Sequence, residues 1–198
     1  MLPLAATSAS EDLAEPEPYP AREVLAAFAT ACSGIEDLPV AEASVQAAGW
    51  ERFEPAADSA IGRIRNSGVE LMARQEPTVE MIDGGVWRRA VAGRDLIAVL
   101  SGVKMDRIVS HGCRIYDLAA PAALPAKMLS DWAVRDPVQR PSGIVGGSKF
   151  VWNPGLKPGH MEMEISFVPK GTKLPEPLAG IPLSGLIFTA SAVEFSDL

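Results

Sequence analysis

The stretch Val86-Trp87-Arg88-Arg89-Ala90-Val91, then Ala92-Gly93-Arg94, then Asp95 to Leu100, constrains this chain more than any other segment. Two β-rich runs separated by a turn around a glycine read as an antiparallel hairpin. Its second arm, Leu96-Ile97-Ala98-Val99-Leu100, is apolar at every position. A strand with one wet face alternates apolar and polar residues, whereas one that does not alternate must be covered on both sides. The hairpin therefore belongs inside a sheet, with a central strand at its second arm.

Other segments supply partners for it. Ile108 to Asp117 reads as a third strand, and Lys149–Asn153, Met161–Val168 and Leu186–Phe195 as later ones. Upstream the period changes to that of helices. Val24, Leu25, Phe28, Ala31 and Cys32 share one face at 3–4 spacing, and Gly34 stops that helix. Asp37 is placed to cap a second helix, with Pro39 in its first turn and Gly49 at its end. Trp50 to Phe53 then passes over these helices. Asp58 opens a third helix through Ile61 and Ile64; Asn66-Ser67-Gly68 should break or kink it, and Val69–Gln75 reads as a resumed helix, with a short strand as the alternative. Pro121 to Arg135 is the last helix, with Leu124, Met128, Leu129 and Trp132 on its buried stripe. The expected fold is α+β: N-terminal helices, an antiparallel sheet of five or six strands, and one helix between the strand groups.

Composition sets the boundaries. A chain of 198 residues, 47% hydrophobic, can bury about 70% of its unfolded surface, enough for one domain, placed at residues 21–198. The 17 prolines are unevenly spread: four fall in the first 20 residues and eight from Pro137 onward. Residues 1–20 therefore read as a disordered tail or the remnant of a signal peptide. Met1–Ala6 is apolar and Thr7–Ser10 small, as at a cleavage region, yet a basic n-region and a long apolar core are lacking. The Pro/Gly-rich stretch 137–159 has two readings, a functional loop or two hairpin connections flanking one strand.

Cys32 and Cys113 lie far apart in apolar settings, which suits one disulfide docking a helix on the sheet; the alternative is two buried free thiols. A net charge of −7 argues against nucleic-acid binding, which needs clustered cations. No apolar run approaches the roughly 18 residues of a membrane span. A local basic group, including Arg88, Arg94 and Arg114, reads either as a solvated sheet face or as an anion-binding patch.

The sequence holds no G-x-S-x-G, P-loop, C-x-x-C or H-E-x-x-H motif, and calls for no cofactor and no catalytic residue outright. Its two histidines, His111 and His160, must both serve any site that needs two imidazoles. In His160-Met161-Glu162-Met163-Glu164, strand alternation would set His160, Glu162 and Glu164 on one side, as a metal or acid-base group. The plain alternative is a solvated strand face. His111 beside Cys113, with Asp106 or Asp117 as orienter, is a further option that a disulfide would consume. Trp152, within Val-Trp-Asn-Pro-Gly, reads as an exposed ligand or partner anchor or as a residue closing the sheet's end.

The pieces Ala31-Cys32, Ala47-Ala48-Gly49-Trp50, Val91-Ala92-Gly93-Arg94, Cys113-Arg114-Ile115-Tyr116-Asp117 and Trp152-Asn153-Pro154-Gly155 give the chain a resemblance. It resembles a group of uncharacterised exported proteins of alphaproteobacteria, for which no activity is known. The resemblance implies an exported α+β protein in which Cys32 and Cys113 pair. The functional expectation is a non-catalytic exported protein, periplasmic or secreted, that binds a partner protein or small ligand; Trp152, Arg88 and Arg114 are the binding residues. The alternatives are a cytoplasmic location and a hydrolase, metal-assisted or not, using His160 with Glu162 or Glu164.

Overall fold

The structure, a computed structural model, describes residues 18–176 and 178–195. The element order is α1 (Ala21–Ala31), α2 (Leu38–Ala47), β1 (Glu51–Arg52), α3 (Ala60–Gln75), β2 (Glu80–Val91), β3 (Arg94–Met105) and β4 (Ile108–Asp117). There follow α4 (Ala126–Ala133), β5 (Val138–Gln139), β6 (Ser148–Trp152), β7 (His160–Val168) and β8 (Gly185–Phe195). Every strand pairing is antiparallel, in the order β1-β2-β3-β4-β8-β7-β6-β5. Two meanders thus meet where β4 lies against β8. The α+β expectation holds, but the sheet has eight strands, not five or six. The extra two, β1 and β5, are two-residue edge strands, too short to carry any periodicity.

The hairpin at Gly93 forms as read. Ala92 and Gly93 both take positive φ (44° and 77°), the conformation of a two-residue turn whose twist matches the strands. Asp37 caps α2, its carboxylate accepting from the Val40 amide at 3.0 Å. Ser59 rather than Asp58 caps α3, accepting from the Gly62 amide. Asn66-Ser67-Gly68 does not interrupt α3, since a mid-helix glycine weakens a helix without breaking it. The last helix is shorter than expected. Pro125 excludes the helical conformation for Leu124 before it, so α4 opens only at Ala126.

One face of the sheet carries α1, α2 and α4, and the main core lies beneath them. Phe28 of α1 packs on Phe188 (ring centroids 5.5 Å) and Trp132 (6.3 Å), and Trp132 meets Trp152 edge-on. Trp152 is 1% exposed and donates its indole N–H to the Arg135 carbonyl at 2.9 Å. It is a core residue at the sheet's end, and the exposed-anchor reading is corrected. The 137–159 stretch holds the short strand β5, a turn, β6 and the approach to β7, close to the plainer of its two readings.

Two cross-links hold this face together. Cys32, at the end of α1, is disulfide-bonded to Cys113 in β4. Asp117, at the end of β4, is 1% exposed, and Arg94, Tyr19 and the Ala119 amide (3.2 Å) meet it. Arg94 donates to both carboxylate oxygens (2.7 and 2.8 Å) and the Tyr19 hydroxyl donates at 2.9 Å. Burial and the Asp117 charge together push the Tyr19 phenol above its ordinary pKa, so it stays a donor. Residues 1–17 of the expected tail lie outside the described residues. Tyr19, which sequence reading places in that tail, belongs to the fold.

Removing either cross-link has a calculable effect. Reduction of the disulfide, or the double change C32S/C113S, should lower unfolding free energy by about 2–5 kcal/mol, read from urea midpoints with and without reductant. Arg94→Met strands a buried carboxylate and should cost about 3–5 kcal/mol, whereas Tyr19→Phe, which leaves the Arg94 pair, should cost about 1–3 kcal/mol. Equal losses for the two variants would contradict this ordering.

Candidate functional site

The other face of the sheet is covered incompletely. Its side chains come from alternate positions: Val99, Ser101 and Val103 on β3, Gly112, Arg114 and Tyr116 on β4, and Ile187 and Thr189 on β8. Among the described residues, α3 and the segment 178–183 form the roof of the space above them. The first turns of α3 are seated, with Ile61 buried against Val86 and Tyr116. Arg65 then ties α3 down, reaching Glu54 at 3.1 Å and Asp83 at 2.6 Å. Beyond Arg65 no residue of α3 is buried, and Val69 is 44% exposed. Between this lifted half of the helix, the 178–183 segment and the strands lies a cavity of about 470 Å³. Leu71, Met72, Val103, Leu183 and Ile187 give it apolar walls. That volume falls in the range of small-ligand sites, roughly 300–1,000 Å³.

The floor carries the polar groups. Arg114 extends along β4 over Gly112 and donates to the Ser101 hydroxyl at 3.2 Å. A Cβ at position 112 would stand 3.1 Å from the Arg114 guanidinium, so glycine there lets the side chain lie flat. Arg114 has no carboxylate within 4.0 Å among the described residues. Tyr116 is buried beside it, and desolvation raises its phenol against the pull of the Arg114 charge, leaving it protonated. The Tyr116 and Thr189 hydroxyls have no hydrogen-bond partner among the described residues.

The remaining basic residues are dispersed rather than clustered. Arg94 is held by Asp117. Arg88, on the exposed surface near the sheet's edge, lies 3.6 Å from Glu51 and over the Phe53 ring at 5.6 Å. It does not line the cavity, so the structure separates it from Arg114. A second depression of about 650 Å³ between α2 and β1–β2 is edged by Glu42, Glu51 and Arg52. Its cation is already matched, Arg52 reaching Glu42 at 3.5 Å and lying over Trp87.

The trio His160, Glu162 and Glu164 is not brought together. The β7–β8 register slips between His160, opposite Ala192, and Glu162, opposite Ser191. The extra residue, Met161, is a β-bulge that reverses the alternation. His160 therefore turns to the helix-covered side while Glu162 and Glu164 stay on the other. Glu164 is engaged by Lys149 at 2.5 Å and by the Ser166 hydroxyl. Among the described residues no group of three or more His, Cys, Asp or Glu side chains is placed to hold a metal. His111 and His160 both stand opposite Ala192, one on each side. Two strand spacings separate them, roughly 9.5 Å, too far for one ion to take both imidazoles. Cys113 is bonded to Cys32, so no thiolate faces His111.

Sequence reading singled out Arg114 but not Ser101, Tyr116, Thr189 or the apolar walls. Val99-Ser101-Val103 was hidden inside an apolar strand, and a cavity between elements distant in sequence leaves no local pattern. No protein-family model, curated protein or solved structure matches the chain.

His160 gives a pH test. Burial lowers its pKa below the ordinary 6.5, outweighing Glu36, whose carboxylate is 3.6 Å away. The unfolded chain then binds a proton that the native state refuses. The stabilisation is complete above about pH 7 and is lost as pH falls through 6.5 toward the lower native value. Urea midpoints at pH 7.5 and 5.5 should fall more for the native protein than for His160→Gln; parallel losses would contradict it.

Proposed function

We propose that this protein is a non-catalytic binding protein that takes a small, largely apolar molecule into the cavity over β3, β4 and β8. The observation that supports this is the combination of a largely apolar wall and a polar floor with an unpaired guanidinium in one recess. A protein that merely folds would close α3 onto the sheet, because each apolar side chain left half-exposed forgoes part of the roughly 1.5–3 kcal/mol that full burial contributes. Among the described residues, none of the lining hydroxyls Ser67, Ser101, Tyr116 and Thr189 is hydrogen-bonded to a carboxylate or an imidazole. The hydrolase alternative loses its support, since His160 and the two glutamates face opposite sides of the sheet.

Export belongs to the same proposal. A disulfide between Cys32 and Cys113 suits an oxidising compartment, and no helix among the described residues is long and apolar enough to cross a membrane. The resemblance to exported alphaproteobacterial proteins points the same way. The occupant is a small molecule; a protein partner would need a broader surface than this recess.

The experiment is a thermal-shift and calorimetric panel of small apolar-bodied molecules against the native protein and Val99→Trp. The indole should fill the cavity from its floor. A true ligand at 100 times its Kd should stabilise the native protein by about 2.7 kcal/mol, and Val99→Trp should weaken binding by about tenfold or more. Equal binding by a folded Val99→Trp would place the ligand elsewhere.

A further inference from the structure

We infer that the cavity selects a molecule with one carboxylate head and an aliphatic body, the carboxylate seated on Arg114, Tyr116 and Thr189. This rests on the cavity being a binding site and adds what the site recognises. The register brings the three groups together: Arg114 and Tyr116 alternate on one face of β4, and Thr189 is the direct neighbour of Arg114 on β8. The guanidinium spends one N–H on Ser101 and keeps others for a second acceptor. The Tyr116 and Thr189 hydroxyls, without partners among the described residues, line the same cavity.

The charge count sets the head group. Nearby carboxylates are already satisfied: Asp83 holds Arg65 and the Gly85 amide, and Glu164 holds Lys149. Arg65 and Asp83, which also line the cavity, pair with each other, so Arg114 is the lining cation without an ion pair among the described residues. A carboxylate matches it, presenting two oxygens to a planar fork of donors. A phosphate monoester, carrying about 1.5 to 2 negative charges, would leave charge unmatched between apolar walls. A neutral or cationic head would leave the guanidinium uncompensated or repelled. The walls above, Leu71, Met72, Leu183 and Ile187 among them, suit an alkyl body, and the charged pair at the rim, Arg65 with Asp83, is already engaged with itself.

The test titrates decanoate, 1-decanol, decyltrimethylammonium and decyl phosphate, each below its aggregation limit, into the full disulfide-bonded chain by calorimetry. Decanoate should bind one to one, with decanol about tenfold weaker or more and the ammonium weaker still. Arg114→Met should bring decanoate down to the level of decanol and leave decanol unchanged. Thr189→Val, a near-isosteric change, should weaken decanoate alone and carries the test if Arg114→Met does not fold. Decanol or the ammonium equal to decanoate, decyl phosphate tighter than decanoate, or decanoate unaffected by the variants would each overturn the carboxylate assignment. If none of the four binds the native protein, while a neutral ligand from the wider panel still does, the head-group proposal fails and the cavity reading survives. If nothing binds at all, the cavity reading fails first.

Discussion

A carboxylate that is 1% exposed has to be neutralised where it stands, and much of this structure is arranged around meeting that need at Asp117. Arg94 opens β3, Asp117 ends β4 and Tyr19 precedes α1, so one ionic contact sets the hairpin register and fixes where the first helix begins. Arg94 also lies over the Tyr19 ring at 5.4 Å, stiffening the trio through the ring face. Breaking a buried pair from one side is far costlier than the pair's net contribution, because the surviving charge has no water. The disulfide acts two strand-face steps away, at Cys113, and pulls the other end of α1 onto the same strand. Between them the two cross-links hold α1 by both its ends, and the aromatic packing of Phe28, Phe188 and Trp132 fills what they enclose.

Much of this fold was legible because it is local. The β4 boundaries, the turn at Ala92-Gly93 and the cap at Asp37 each depend on residues within a few positions. The pairing of Cys32 with Cys113 was legible for another reason, since two cysteines allow only one bridge. What escaped reading was set by distant contacts or by single-residue slips. Trp152 looked like a loop anchor because its neighbours are Asn, Pro and Gly; its burial is decided by Trp132, twenty residues away in a different element. The face of His160 was misjudged because alternation assumes an unbroken ladder, and a bulge at Met161 leaves no residue-type signature. Arg114 was visible as a cation, but its isolation depends on Arg65 and Lys149 having claimed the nearby carboxylates.

The two faces of the sheet are closed to different degrees, and the proposed recognition lies on the more open one. The side under α1, α2 and α4 is cross-linked, aromatic and closed, and a change there acts on the whole fold. The other side has one anchored helix start, one loose helix end and a polar floor. Binding sites need that asymmetry, since a space kept open for a ligand forgoes burial that the rest of the molecule must supply. Arg65 marks the division: α3 residues before it pack on Val86 and Tyr116, and those after it overhang the cavity.

A lone arginine on an otherwise apolar floor needs a physical reason to be tolerated. Leaving a cation half-buried without a counter-charge is unfavourable, and a small neutral residue would stabilise the sheet at that position. Gly112 sharpens the point. A larger residue there would cover the strand and strengthen the pairing with β3 and β8, yet its place is held open so that the guanidinium can lie flat toward Ser101. Two local sacrifices of stability thus serve one geometry, a fork of donors facing into the cavity. The cross-links on the opposite face are where the molecule recovers what that geometry gives up. On the proposed reading, those two positions on one face of β4 serve the same bound anion, a demand that a sheet that merely failed to close would not make.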